Sequence, residues 1–241
     1  GARSAAMTLN RLIDAQIDKV NPRTADRSIP AGRIKPLTAV VFTLLSFALM
    51  LIAAAQLPEI CLKLSPIAVF WLSFYSYTKR FTWLCHIVLG IALAGAALGG
   101  WVASSGEITG HAPWLLALAV ATWVAGFDII YACQDCQFDR SERLHSIPAR
   151  FGVARALYIS RGLHVVTVFS LLALGLEVVP AGGLFYFIGT ALVTAMLVYE
   201  HRLVRPDDLS KVNAAFFTVN GVVSIITFLT ILIDHLVKIR L

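Results

Sequence analysis

Long apolar runs broken by short polar stretches set the pattern of this chain. Their lengths match what a helix needs to cross a hydrocarbon layer, about 20 residues. Seven runs meet or approach that length, roughly 36–57, 61–77, 81–103, 113–133, 154–179, 183–201 and 213–236. The run at 61–77 is the shorter one and contains Lys63, whose stem lets the ammonium snorkel to the interface. Residues 1–18 read as the end of a further helix. Pro22, Pro30, Gly32 and Pro36 break the first connection, and Gly106, Gly110 and Pro113 mark another. No linker, repeat or low-complexity tract sets off a second region, so residues 1–241 are expected to form a single transmembrane domain.

The distribution of cations orients these spans. If all seven cross, one side receives Lys19, Arg23, Arg27, Arg33, Lys35, Lys79, Arg80, Arg140, Arg143, Arg150, Arg155, Arg202, Arg205 and Lys211. The other receives Lys63, Lys238 and Arg240. Cytoplasmic loops carry the excess of Lys and Arg, so the first side is the cytoplasmic one.

Composition agrees with the pattern. Of 241 residues, 58% are hydrophobic and 14% charged, against about a quarter charged in a soluble domain. The formal charge of +6 would raise nucleic-acid binding in a soluble chain. Here the cations lie between apolar runs, so the expected partner is a lipid bilayer and not nucleic acid. Cys61 and Cys85 fall in or beside apolar runs, where a disulfide framework is not expected. Cys133 and Cys136 have CxxC spacing, but a zinc site needs two more ligands and only His145 is near.

Two acidic segments carry the candidate chemistry. Asn10, Asp14 and Asp18 stand at i, i+4 and i+8, along one face of a helix. Asp128, Tyr131, Asp135 and Asp139 stand at i, i+3, i+7 and i+11, again on one face. Carboxylate and amide oxygens at a membrane interface suit Mg2+, which usually shares such ligands with substrate phosphates. Asp128 lies well inside an apolar run, where an ionisable residue is by default a functional candidate. Both segments end on the cytoplasmic side, so they are expected to face each other and hold metal together. Lys79, Arg80, Arg23, Arg27 and Arg140 lie in cytoplasmic loops and offer charge-assisted bonds to a diphosphate. Lys79 stands one turn from Tyr75. Arg3 lies two turns before Asn10 on the same face, suited to a carboxylate deeper in a cavity. His86, His164 and His235 read as packing or interface residues. Trp71, Phe74, Tyr75 and Tyr77 read as an interfacial belt or as a wall for a cation.

These segments resemble the motifs of the UbiA superfamily of intramembrane aromatic prenyltransferases. Asn10-xxx-Asp14-xxx-Asp18, followed by Asn21-Pro-Arg-Thr-Ala-Asp-Arg-Ser-Ile-Pro-Ala-Gly32, is similar to the first family motif. Asp128-xx-Tyr131-xxx-Asp135-xxx-Asp139, followed by Ser146-Ile-Pro-Ala-Arg-Phe-Gly152, is similar to the second. Tyr75-Ser-Tyr-Thr-Lys79-Arg80 resembles the family's Tyr-xxx-Lys loop. The resemblance implies an all-α polytopic transmembrane bundle, nine helices in the family with the first apparently missing here. It implies that Asp14, Asp18, Asp135 and Asp139 are catalytic and bind Mg2+ bridging a polyprenyl diphosphate. Asn10, Tyr75, Lys79, Arg80, Asp128 and Tyr131 would assist in substrate binding, and Arg3 would hold the carboxylate of the aromatic acid acceptor. The expected reaction is polyprenyl transfer to 4-hydroxybenzoate toward ubiquinone, at the cytoplasmic side of a bacterial inner membrane. Arg11 stands where many 4-hydroxybenzoate enzymes have Asp, which keeps 1,4-dihydroxy-6-naphthoate and menaquinone as the alternative. A cation-coupled transporter is the alternative of another class, disfavoured because most of the acids sit at helix ends.

Overall fold

The computed structural model describes residues 1–178 and 183–240, with side chains up to residue 237. Val179, the expected end of one span, and the side chains of Lys238 and Arg240 lie outside the described residues. The chain is all-α: among the described residues the only strand-like pairing is an isolated bridge between Arg205 and Asp208. Seven described helices are long and apolar enough to cross a membrane, Pro36–Ala54, Glu59–Thr78, Cys85–Ser105, Ala112–Ser141, Val153–Val178, Leu184–Leu203 and Ala214–Val237. Each matches one of the expected runs. The 61–77 run, expected to be short, is a 20-residue helix, Glu59–Thr78, and Lys63 pairs with Glu59 at 2.9 Å on its surface.

The chain forms two compact units. The first comprises residues 1–82 and 99–108, the second 83–98 and 109–241. In the first, α1 (Ala2–Ile13) and α2 (Ala15–Val20) precede α3 (Pro36–Ala54) and α4 (Glu59–Thr78), and α1 packs on both α3 and α4. The packed face of α3 is small, Ala39, Thr43 and Ser46, while Leu37, Phe42, Leu44 and Leu45 are exposed. This inside-out pattern is what lipid permits. Tails solvate Leu as well as a protein core does, so small residues that allow close approach decide the contact. Pro66 lies inside α4 and cannot donate to the Leu62 carbonyl. Ser65 Oγ donates to that carbonyl instead at 2.8 Å, which restores the bond that the proline removes.

In the second unit, α5 (Cys85–Ser105) contributes its first part and is followed by α6 (Ala112–Ala132). A 3-10 turn (Cys133–Asp135), α7 (Cys136–Ser141), α8 (Ile147–Phe151) and α9 (Val153–Val178) come next. Then come α10 (Leu184–Leu203), a π-helical turn (Ala214–Val219) and α11 (Asn220–Arg240). α6 pairs most extensively with α9, and α10 with α11. Ile129, Ile130, Ile147, Leu157, Val204 and Val212 form the buried core beneath the end of α6. At Gly90 an added Cβ would collide with the Ala121 carbonyl, so this glycine sets how closely α5 approaches α6.

Two acids inside apolar helices have structural work. Glu177 Oε1 accepts from the backbone N–H groups of His111 (3.2 Å) and Ala112 (3.0 Å), capping α6. Asp234 accepts from Phe185 N–H (3.2 Å) and Tyr186 N–H (2.6 Å), capping α10. The first N–H groups of a helix lack partners within it, and lipid supplies none. Replacing Asp234 by Leu is expected to destabilise the protein by about 1–2 kcal/mol, as for other lost N-caps, and Asp234→Asn by less. A detergent melting curve checks this, and a Leu variant melting like wild type would contradict the capping role.

Candidate active site

The acidic residues of the first unit lie where α1 gives way to α2. The expected continuous helix is interrupted: Asp14 closes α1 and opens α2 with φ −88° and ψ 3°. The Asp14 N–H still bonds Asn10 O at 2.9 Å and the Asp18 N–H bonds Asp14 O at 2.7 Å, so the three polar positions keep helical spacing through the break. Asn10 Nδ2 donates to Asp14 Oδ2 at 3.0 Å and to Ser76 Oγ of α4 at 3.4 Å. Asn10 therefore orients Asp14 through its amide nitrogen.

Cations hold both carboxylates. Arg80 Nη1 lies 2.9 Å from Asp14 Oδ1 and 2.9 Å from the Ser76 carbonyl, while its Nη2 donates to Ile13 O at 2.8 Å. Burial lifts the Asp14 carboxyl above its usual range, and the Arg80 charge pulls it back. Arg27 Nη1 reaches both oxygens of Asp18, at 2.6 and 2.7 Å. The loop after α2 aims Arg27: Asn21 Oδ1 accepts from Arg23 N–H at 3.0 Å, and Thr24 Oγ1 donates to the Asp18 carbonyl at 3.2 Å. Arg80 and Arg27, expected as phosphate binders, set the two acids in place. Lys79 caps the end of α4, with Tyr75 one turn back and partly buried. Arg3 is exposed on α1.

The acidic residues of the second unit lie where α6 tightens into the 3-10 turn and re-forms as α7. The expected unbroken helix here is also interrupted, at Cys133–Asp135. Asp135 and Asp139 are buried, Asp139 completely. Ser146 Oγ donates to Asp139 Oδ2 at 2.8 Å and itself caps α8 by accepting from Ala149 N–H at 3.2 Å. Arg140 Nε donates to Ala149 O at 2.8 Å, and the turn closes at Gly152 with φ 83°, a conformation that favours glycine. The Ser146–Gly152 stretch therefore braces the acid turn. Cys133 and Cys136 are buried free thiols donating to the Ile129 and Pro148 carbonyls at 3.3 and 3.2 Å.

Asp128, a functional candidate by sequence, is paired with His86, which was expected to be a packing or interface residue. His86 of α5 is buried, and its Nδ1 lies 2.7 Å from Asp128 Oδ2. A signal existed: a lone His and a lone Asp in neighbouring apolar runs are each costly without the other. His164 likewise bonds His201, at 3.0 Å.

Among the described residues, no three His, Cys, Asp or Glu side chains gather as a metal cage. What each unit offers is a pair of motif carboxylates at a helix end. That donor set fits Mg2+, which takes one or two carboxylates and completes its shell with phosphate and water.

Helical spans and inside-out packing define a polytopic, all-α membrane protein that carries a pair of braced carboxylates at a helix end in each unit. The model of the UbiA prenyltransferase family matches residues 1–222, and the chain belongs to that family. It is 30% identical over 221 residues to a 4-hydroxybenzoate octaprenyltransferase of Tolumonas auensis, covering 91% of this chain and 76% of the relative. To that of Yersinia pseudotuberculosis serotype O:1b it is 32% identical over 237 residues, covering 97% and 79%. Among solved structures, a UbiA homolog from Aeropyrum pernix K1 superposes with TM-score 0.88 at 35% identity, covering 98% of this chain and 86% of the homolog. A UbiA homolog from Archaeoglobus fulgidus, bound to DMAPP and Mg2+, shares the fold at TM-score 0.68 and 20% identity, covering 94% and 82%. Family membership removes the transporter alternative.

Proposed function

We propose that this chain transfers a polyprenyl group from a polyprenyl diphosphate to 4-hydroxybenzoate, in ubiquinone biosynthesis, with Mg2+ as cofactor. The observation that carries the reading is the match to 4-hydroxybenzoate octaprenyltransferases over three quarters or more of their length, with both acidic motifs in place. An Archaeoglobus homolog of the same fold that holds DMAPP together with Mg2+ agrees with it. The protein works in a bacterial inner membrane, with its acids at the cytoplasmic side, as the distribution of Lys and Arg supports.

In the reaction the allylic C–O bond breaks and diphosphate leaves with the electron pair. The aromatic ring attacks the allylic cation, and the ring carbon then loses its proton. Mg2+, bound with the diphosphate, would supply Lewis-acid neutralisation of the leaving group. Asp14 and Asp18 of the first unit, and Asp135 and Asp139 of the second, are the acids that would hold Mg2+. Asn10 and Arg80 orient Asp14, Arg27 orients Asp18, and Ser146 orients Asp139. Lys79 and Tyr75 bind the diphosphate, while Tyr131 and Asp128 line the reacting end, Asp128 fixed by His86. Arg3 holds the acceptor carboxylate. Bringing both substrates together in a water-poor site protects the cation from quenching.

Acceptor choice is tested by incubating membranes carrying the protein with a polyprenyl diphosphate, Mg2+ and either 4-hydroxybenzoate or 1,4-dihydroxy-6-naphthoate. Prenylated hydroxybenzoate is expected. Product from the naphthoate alone would move the protein to the menaquinone pathway.

A further inference from the structure

A buried polar network in the second unit lies outside the acidic motifs. Glu200 of α10 is completely buried within a membrane-spanning helix. Its Oε1 accepts from Asn220 Nδ2 at 3.1 Å, and Asn220 Oδ1 accepts from Trp123 Nε1 of α6 at 2.7 Å. His164 stands beside Glu200, with Nδ1 3.7 Å from Oε2, and its Nε2 donates to the Trp123 carbonyl at 3.2 Å. That bond fixes the tautomer, so Nδ1 accepts from His201 Nε2 at 3.0 Å. Gly126 leaves room for the His164 ring, which a Cβ there would strike.

Asn220 ends the π-helical turn Ala214–Val219. Its amide also donates to the carbonyls of Ala215 (3.1 Å) and Phe216 (3.0 Å). A π-turn inserts one residue into a helix, shifts the backbone bonds out of register and recurs at functional sites. In lipid, carbonyls displaced in this way need a protein donor. The turn carries Phe216, which lies against Tyr131 with ring centroids 4.2 Å apart and planes tilted by 32°, and meets Phe127 edge-on at 5.2 Å. Phe127 in turn meets Trp123 at 5.5 Å. This ladder of rings climbs the helix that bears Asp128 and leads to Asp135.

We propose that Glu200, Asn220 and Trp123 are positioning residues: they lock the π-helical turn so that Phe216 and Tyr131 form a fixed aromatic wall for the allylic end of the prenyl diphosphate. The proposal rests on the prenyl-transfer reading above. Ring faces attract a cation, and the attraction depends on their placement. Glu200 serves as an acceptor for Asn220, so an amide oxygen at position 200 suffices. Asn220 is not replaceable by an apolar residue, since two carbonyls and the indole N–H would lose their partner.

The test is steady-state transfer from geranyl diphosphate to 4-hydroxybenzoate by the full chain in detergent, with melting curves for each variant. Asn220→Leu, Trp123→Phe and Phe216→Leu are each expected to lower kcat about 10-fold while the KM for 4-hydroxybenzoate stays within about two-fold. Glu200→Gln is expected to retain wild-type kcat, whereas Glu200→Leu falls with the others. The double variant Trp123→Phe with Phe216→Leu is expected to be no slower than the worse single one, because both act through one wall. If the two losses multiply, or if kcat stays at the wild-type level in Trp123→Phe and Phe216→Leu, the proposal is overturned. It is also overturned if Glu200→Gln is as slow as Glu200→Leu. No transfer by the wild type to any acceptor would instead sink the prenyl-transfer reading, and this proposal with it.

Discussion

Asp135→Ala is expected to lower kcat/KM for prenyl transfer by about 10³-fold, the size seen when a group that neutralises developing charge is lost. Asp135 is buried at the point where α6 tightens into the 3-10 turn, and the fold brings its carboxylate there at the expense of desolvation. A purely structural acid would tolerate an amide of the same size and hydrogen-bonding reach. A metal-binding acid would not, because the charge is what the ion requires. Asp135→Asn is therefore expected to be nearly as inactive as Asp135→Ala, with a melting temperature close to wild type. Initial rates over a Mg2+ titration provide the check. An Asn variant within tenfold of wild type would show that the carboxylate charge is not used.

Arg80→Ala is the second large effect, expected to lower kcat about 100-fold, the loss associated with a displacement of about 1 Å in the reacting groups. Arg80 makes three contacts with one guanidinium: the Asp14 carboxylate, the Ser76 carbonyl and the Ile13 carbonyl. It also lies over the Tyr77 ring at 5.6 Å. These tie the end of α4 to the break between α1 and α2. Lysine has a point charge and no planar fork, so Arg80→Lys is expected to recover only a small part of the activity. The pH dependence has a definite sign. Burial already raises the Asp14 carboxyl and Arg80 lowers it, so removing Arg80 lifts it further. Protons then compete with Mg2+ more strongly, and the Arg80→Ala deficit should grow as pH falls and shrink as pH rises. A deficit independent of pH and of Mg2+ concentration would mean that Arg80 acts on something other than Asp14.

The spans were legible because apolar length is a direct physical requirement of the bilayer, and each expected run became a helix. The acidic motifs were legible because their spacing recurs at helical period. What the period could not show is where the helix yields. Asp14 and Asp135 sit at breaks, yet i, i+4 spacing is the same on either side of a break. Pairings across long separations were the other gap. His86 and Asp128 are 42 residues apart, and Arg80 and Asp14 meet only because α4 returns to α1. Glu200 stands beside His201 and Arg202 in the sequence, yet it is completely buried. Its partner Asn220 lies in the next span, and a π-turn leaves no mark on hydrophobic periodicity.

The most direct measurement is product formation by the purified protein in lipid nanodiscs, given a polyprenyl diphosphate, 4-hydroxybenzoate and Mg2+. Prenylated hydroxybenzoate and released diphosphate are counted together, with and without EDTA. Equal amounts of both, appearing only with Mg2+ and lost in Asp135→Ala, are the predicted result. Turnover that survives EDTA and the Asp135→Ala substitution would contradict the account.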